Sequence, residues 1–188
     1  MREVELKAKV ADWTLTKEKI EAVCGPGEIV SKRDLYFRRP GEKHQALRIR
    51  DNNGSMELTS KQTGMNENGE NNLEFQFSAP ITEYDKAIGF FENLGYEQYF
   101  RKFKNGWEWT FEDVHVELLE VNDLGFFLEM EILIPFDSSE EDVSDGHFHL
   151  QKLLSKFGLS KEDVCNKSYR AMILKEDELW NSGLAIFW

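Results

Sequence analysis

Charged side chains recur at every second position in several short stretches of this chain. They are Glu3, Glu5 and Lys7; Arg48 and Arg50; Lys102 and Lys104; and Glu129 and Glu131; Glu57 with Lys61, and Glu74 with the uncharged Gln76, share strand faces in the same way. Alternate residues of a β-strand share a face, so each stretch presents its charges together. Val4, Leu6 and Ala8, Leu47 and Ile49, and Leu128, Met130 and Ile132 then fall on the opposite faces. The carboxylates of Glu3, Glu5, Glu129 and Glu131 are hard oxygen donors of the kind that hold Mg²⁺ or Mn²⁺. The cations Lys7, Arg48, Arg50, Lys61, Lys102 and Lys104 suit an anion carrying several phosphates, Arg through its donor fork and Lys as a point charge. Metal-assisted polyphosphate chemistry is what these residue types could perform together.

The elements that must position them follow a repeated order. Residues 3–10 alternate like a half-buried strand, 14–23 read as a short helix capped by Thr14 or Thr16 and stopped by Gly25-Pro26-Gly27, and strands are expected at 29–38, 46–51 and 55–61. The stretch from Gln62 to Asn71 reads as a loop. The order then begins again, with a strand at 72–79, an amphipathic helix at 82–95 capped by Thr82 and ended by Gly95, and strands at 98–111, 114–121 and 126–134. Either Asn105-Gly106 or Glu112-Asp113 serves as the turn between the last two hairpin arms. An acidic loop is expected from Pro135 to Asp145, helices at 146–157 and 160–176, and an apolar tail after them.

A strand with one charged and one apolar face ordinarily turns its charges to solvent. Here the helices at 82–95 and 146–157 need apolar sheet surface to pack on, which would leave the charged faces lining an interior. The expected fold is therefore α+β: a closed antiparallel barrel, a tunnel, of about eight strands with the helices outside, wide enough for side chains or one small ligand. Ionised groups in such an interior cost several kcal/mol each unless paired, and a bound metal–polyphosphate would pair both signs. Residues 1–174 are read as a single domain, with 175–188 as its tail.

Composition bounds the partners. The chain has 188 residues, a net charge of −12 and 13% aromatic residues. That charge argues against a nucleic-acid-binding face, which is basic, while leaving room for a local basic pocket. Two cysteines, Cys24 and Cys165, have no metal-ligand spacing. The N-terminal residues lack the apolar core of a signal peptide and no apolar run is long enough to span a bilayer, so a cytoplasmic protein without membrane partners is expected. A homodimer is compatible with the sequence.

The motifs carry a resemblance. Glu3-x-Glu5-x-Lys7 resembles the ExExK signature of CYTH proteins, the triphosphate tunnel metalloenzymes, which include class IV adenylyl cyclases and thiamine triphosphatases. Asp34-x-Tyr36-Phe37, Ala46-Leu47-Arg48-Ile49-Arg50, Leu58-Thr59-x-Lys61, Leu124-Gly125, Glu129-x-Glu131 and Lys167-Ser168-Tyr169 follow in the family's order. The likeness spans about residues 1–174 and is nearest the class IV adenylyl cyclase branch. It implies an eight-stranded tunnel in which Glu3, Glu5, Glu129 and Glu131 help hold metal, with Glu3, Glu5 and Lys7 in the catalytic apparatus. It also implies that Lys7, Arg48, Arg50, Lys61, Glu74, Lys102 and Lys104 contribute to binding a triphosphate such as ATP. The chain departs from the family at Asn72, Gln76, Lys104, Leu119 and Phe126. Three functions stand open: cyclisation of ATP to cyclic AMP and pyrophosphate, hydrolysis of thiamine, inorganic or nucleoside triphosphate, and non-catalytic polyphosphate or nucleotide binding.

Other residues read more plainly. His147 and His149 lie two apart on an expected helix and do not share a face. His115 sits two residues from Glu117 on one strand face, where a structural hydrogen bond is the simpler reading than acid–base work. Trp107 and Trp109 are expected to pack in a core.

Overall fold

The computed structural model describes residues 2–41, 45–66 and 69–175, with side chains except at 45–46, 61–66 and 69–74. Its elements run β1 (Arg2–Val10), α1 (Trp13–Cys24), β2 (Glu28–Arg38), β3 (Gln45–Asn52), β4 (Ser55–Asn66), β5 (Gly69–Pro80), α2 (Tyr84–Asn93), β6 (Glu97–Phe111), β7 (Val114–Val121), β8 (Phe126–Ile134), α3 (Glu140–Lys156) and α4 (Tyr169–Ile173). The eight strands form one antiparallel sheet in the order β1-β8-β7-β6-β2-β3-β4-β5. Among the described residues no ladder joins β5 to β1, so the strand order gives the sheet and its helices rather than a closed ring.

The chain divides into two compact units, one including everything up to Val30 and from Asn105 onward, the other running from Ser31 to Lys104. In the first, Val4, Leu6, Ala8 and Val10 of β1, Val114, Val116 and Leu118 of β7, and Leu128, Met130 and Ile132 of β8 are buried. They pack with Ile20 of α1 and with Leu150, Leu153 and Leu154 of α3. In the second, Leu35, Phe37, Ile49, Met56 and Leu58 pack with Phe91 of α2. Period-2 alternation thus gives helices one face of each strand set, and the charged residues take the other.

Several local expectations are corrected. Asp12, not Thr14 or Thr16, caps α1, its carboxylate accepting from the Leu15 N–H. Gly25, at φ 83°, ends that helix as expected. The stretch Gln62–Asn71 is not a loop along its length, because β4 and β5 continue into it with Thr63 opposite Asn72 and Asn66 opposite Gly69. Ladder hydrogen bonds satisfy its polar backbone, and polar composition alone did not show this. Thr82 lies in a short 3₁₀ turn, Ile81–Glu83, and α2 starts without a side-chain cap. The turn before β7 is Glu112-Asp113, with Glu112 at φ 54°, whereas Asn105-Gly106 lies inside β6.

At the C-terminal side, the acidic stretch is helical from Glu140 onward. Ser139 and Asp142 make a capping box, and Glu140, Glu141 and Asp142 complement the positive end of the helix. The long helix expected over 160–176 is broken. Ser160 caps a 3₁₀ turn, Val164 bridges to Ala8, and the Cys165 N–H donates to the Lys7 carbonyl, so this segment lies along β1 before α4. The tail beyond Lys175 lies outside the described residues. No described helix is long and apolar enough to cross a membrane.

Candidate functional site

The carboxylate set is built on neighbouring strands of the first unit. Antiparallel pairing places Glu5 opposite Glu131, and Lys7 opposite Glu129. On the other side of β8, His115 is opposite Glu131 and Glu117 is opposite Glu129. Directly opposed residues share a face, so this face carries two rows, Glu5–Glu131–His115 and Lys7–Glu129–Glu117. Burial, followed by the charge of Glu3, pushes the Glu131 carboxyl up to about 7; Glu5 and Glu117 add to the rise, and His115 opposes it. Glu3, Glu5 and Glu131 are thereby brought into one electrostatic group. Like charges opposed across a ladder are destabilising by themselves, and a bound cation would reverse that sign. Hard oxygen donors at this density fit a divalent metal.

Glu129 and Lys7 have protein partners already. The Tyr169 hydroxyl donates to Glu129 Oε1, and burial together with the Glu129 charge holds that phenol far above its usual range. The Lys7 ammonium donates to the Lys167 carbonyl and lies 4.4 Å over the Tyr169 ring. The late Lys167-Ser168-Tyr169 motif therefore works through the start of α4, where Ser168 caps the helix and Tyr169 reaches the acidic row.

The cation set other than Lys7 belongs to the second unit and is organised by a residue to which the sequence reading gave no role. Asp34, whose side chain is 0% exposed, accepts from Arg50 Nε at 2.7 Å and from Arg50 Nη2 at 3.0 Å. Lys102 Nζ lies 3.2 Å from Asp34 Oδ2, the oxygen that also accepts from Arg50 Nη2, and the Tyr36 hydroxyl donates to that oxygen at 3.2 Å. Burial alone would raise the Asp34 carboxyl; Lys102 and Arg50 outweigh it and hold the group well below the usual carboxylate range. Burial would lower the Lys102 ammonium, and Tyr36 with Asp34 reverses that, so it stays charged. Arg48 Nη2 donates to Thr59 Oγ1 at 2.9 Å, and Thr59 donates on to Gln76 Oε1 at 3.3 Å. Lys104, on the same strand face as Lys102, is also buried. Lys61 pairs with Glu74 in the β4–β5 register, while both side chains lie outside those described.

One further residue, Glu108, approaches His115 and Glu117 of the acidic face. His115 Nε2 is 3.3 Å from Glu117 Oε1 and 3.8 Å from Glu108 Oε2, and the ligand atoms of this trio lie within 4.8 Å of one another. The pairing of His115 with Glu117 was legible in their i, i+2 spacing, but Glu108 was not, because it arrives from β6. Trp107 and Trp109 do pack as core. Trp109 is buried and donates to the Gly25 carbonyl at 3.0 Å, and Trp107 stacks on Trp13 at 5.4 Å.

The CYTH domain model matches residues 1–169. The chain belongs to the CYTH family. A CYTH-family likeness extends to a Methanocaldococcus jannaschii protein named "Putative adenylate cyclase", 27% identical over 178 residues, covering 90% of this chain and 97% of that one. Among solved structures, a Pyrococcus horikoshii protein superposes with a TM-score of 0.71 at 27% identity, covering 89% and 96% of the two chains. A Hippeastrum protein described as a "Putative adenylyl cyclase" that reveals a dominant triphosphatase activity shares the fold at a TM-score of 0.62 and 16% identity, covering 97% and 96%.

Proposed function

We propose that this CYTH protein binds a triphosphate compound together with Mg²⁺ or Mn²⁺, and that its nearest activity is conversion of ATP to cyclic AMP and pyrophosphate. The observation that carries the reading is the opposition of Glu5 to Glu131 in the β1–β8 ladder, with Glu131 pushed to about 7. Glu3, Glu5, Glu129 and Glu131 would hold the metal, which supplies charge neutralisation for the phosphates. Arg48, Arg50, Lys61, Lys102 and Lys104 grip the phosphate oxygens, and Lys7 adds a cation beside the carboxylates. Closure of the eight-stranded sheet into a tunnel is part of this proposal.

In the cyclase reaction the ribose 3′-hydroxyl attacks the α-phosphorus, its proton leaves, and the bond to the pyrophosphate oxygen breaks. Catalysis then rests on positioning and charge stabilisation. Asp34 contributes by fixing the Arg50 fork and the Lys102 ammonium before substrate arrives. A second reading, hydrolysis of a triphosphate by attack of water on the terminal phosphorus, is favoured by the structural likeness to the Hippeastrum protein.

Calorimetry tests the binding half. Inorganic triphosphate with Mg²⁺ is expected to bind wild type, Arg50→Ala to weaken it about tenfold or more through loss of a fixed guanidinium charge, and Glu5→Gln to remove the metal dependence. Unchanged dissociation constants in both variants would overturn the assignment.

A further inference from the structure

We infer that Glu108, His115 and Glu117 form a site for a transition-metal dication of the Zn²⁺ or Co²⁺ class, additional to the carboxylates assigned to Mg²⁺ or Mn²⁺. Glu108 comes from β6, and His115 and Glu117 from β7, so each ligand stands on a strand rather than a loop. Glu117 is the most sheltered, with a side chain 7% exposed, and Glu108 at 28% is also partly covered. Both carboxylates approach the same imidazole atom, Nε2, at 3.3 and 3.8 Å.

His115 Nε2 and Glu117 Oε1 are hydrogen-bonded at 3.3 Å, as their spacing in the sequence suggested, and a second carboxylate at the same nitrogen makes the trio a ligand arrangement as well. One N–H cannot point at two acceptors. Bonds of about 2.0–2.2 Å from one Zn²⁺ to nitrogen and oxygen place neighbouring tetrahedral ligands about 3.3–3.5 Å apart. The ligand atoms of the trio lie within 4.8 Å of one another. An imidazole in the set shifts preference away from Mg²⁺ and Ca²⁺ and toward Zn²⁺, Co²⁺ or Ni²⁺. The site is independent of triphosphate turnover and stands or falls on metal uptake.

Co²⁺ is the direct probe, because its visible d–d bands report coordination without any activity. Metal-free wild-type protein, titrated with Co²⁺ in a large excess of Mg²⁺, is expected to take up one equivalent and show those bands. His115→Gln and Glu108→Gln, with folding checked by circular dichroism, are expected to weaken that uptake about tenfold or more. Glu5→Gln is expected to keep it while losing Mg²⁺ uptake. No Co²⁺ bands in wild type, displacement by Mg²⁺ at equal concentration, or full uptake by a folded His115→Gln would each overturn the site. Loss of Mg²⁺ binding in wild type with the Co²⁺ site intact would instead remove the proposed function alone.

Discussion

Asp34 is a buried anion whose cost is met by neighbours that are themselves costly to bury. Removing one member of such a set leaves the others uncompensated. Arg50 binds it through two nitrogens and Lys102 through one, and all three groups have side chains at most 14% exposed. Asp34→Asn should therefore cost about 3–5 kcal/mol of stability at neutral pH, read from the denaturant midpoint. Because the folded carboxyl lies below its unfolded value of about 3.9, its contribution is complete above that pH and is lost as pH falls through the folded value. Wild type should thus lose stability below about pH 4 more steeply than Asp34→Asn, and the gap between them should narrow. Parallel pH profiles would show that the carboxylate is not the anchor. The sequence contained Asp34 in a motif, yet its role depends on Arg50 and Lys102, which reach it from other strands. No local spacing reports such a convergence.

Elements were most legible where period-2 alternation was bounded by turns: β7 and β8 begin and end where their patterns do. They were least legible where two local signals competed. Asn105-Gly106 is a strong hairpin dipeptide, but Gly106 serves another purpose inside β6. A Cβ at that position would lie 2.1 Å from the Leu118 carbonyl oxygen of β7, a separation that backbone cannot absorb by a rotamer change. Gly106→Ala should destabilise the protein by about 1–3 kcal/mol, the range for overpacking, measured by thermal or denaturant unfolding. A neutral result would mean the two strands are not packed at this distance. The start of α3 was misjudged for a related reason. An acidic run reads as a solvated loop until the Ser139–Asp142 capping box is recognised, after which the same acids favour a helix N-terminus.

For the molecule, the two charge sets answer different needs. The carboxylates of the first unit call for a cation, and the buried guanidinium and ammonium groups of the second suit a polyanion. A metal–triphosphate, the ligand class proposed above, carries charge of both signs. A chain of net charge −12 repels free polyphosphate at long range, so bound metal should matter to capture as well as to chemistry. The alternating charges made this reading available from sequence. The Asp34 anchor and the Glu108 contribution required strands distant in sequence to be placed side by side. Product analysis after incubation with ATP, with and without Mg²⁺ or Mn²⁺, tests the central claim most directly. Cyclic AMP and pyrophosphate that appear only with metal are the predicted result; orthophosphate alone would move the assignment to a triphosphatase, and neither product nor triphosphate binding would contradict it.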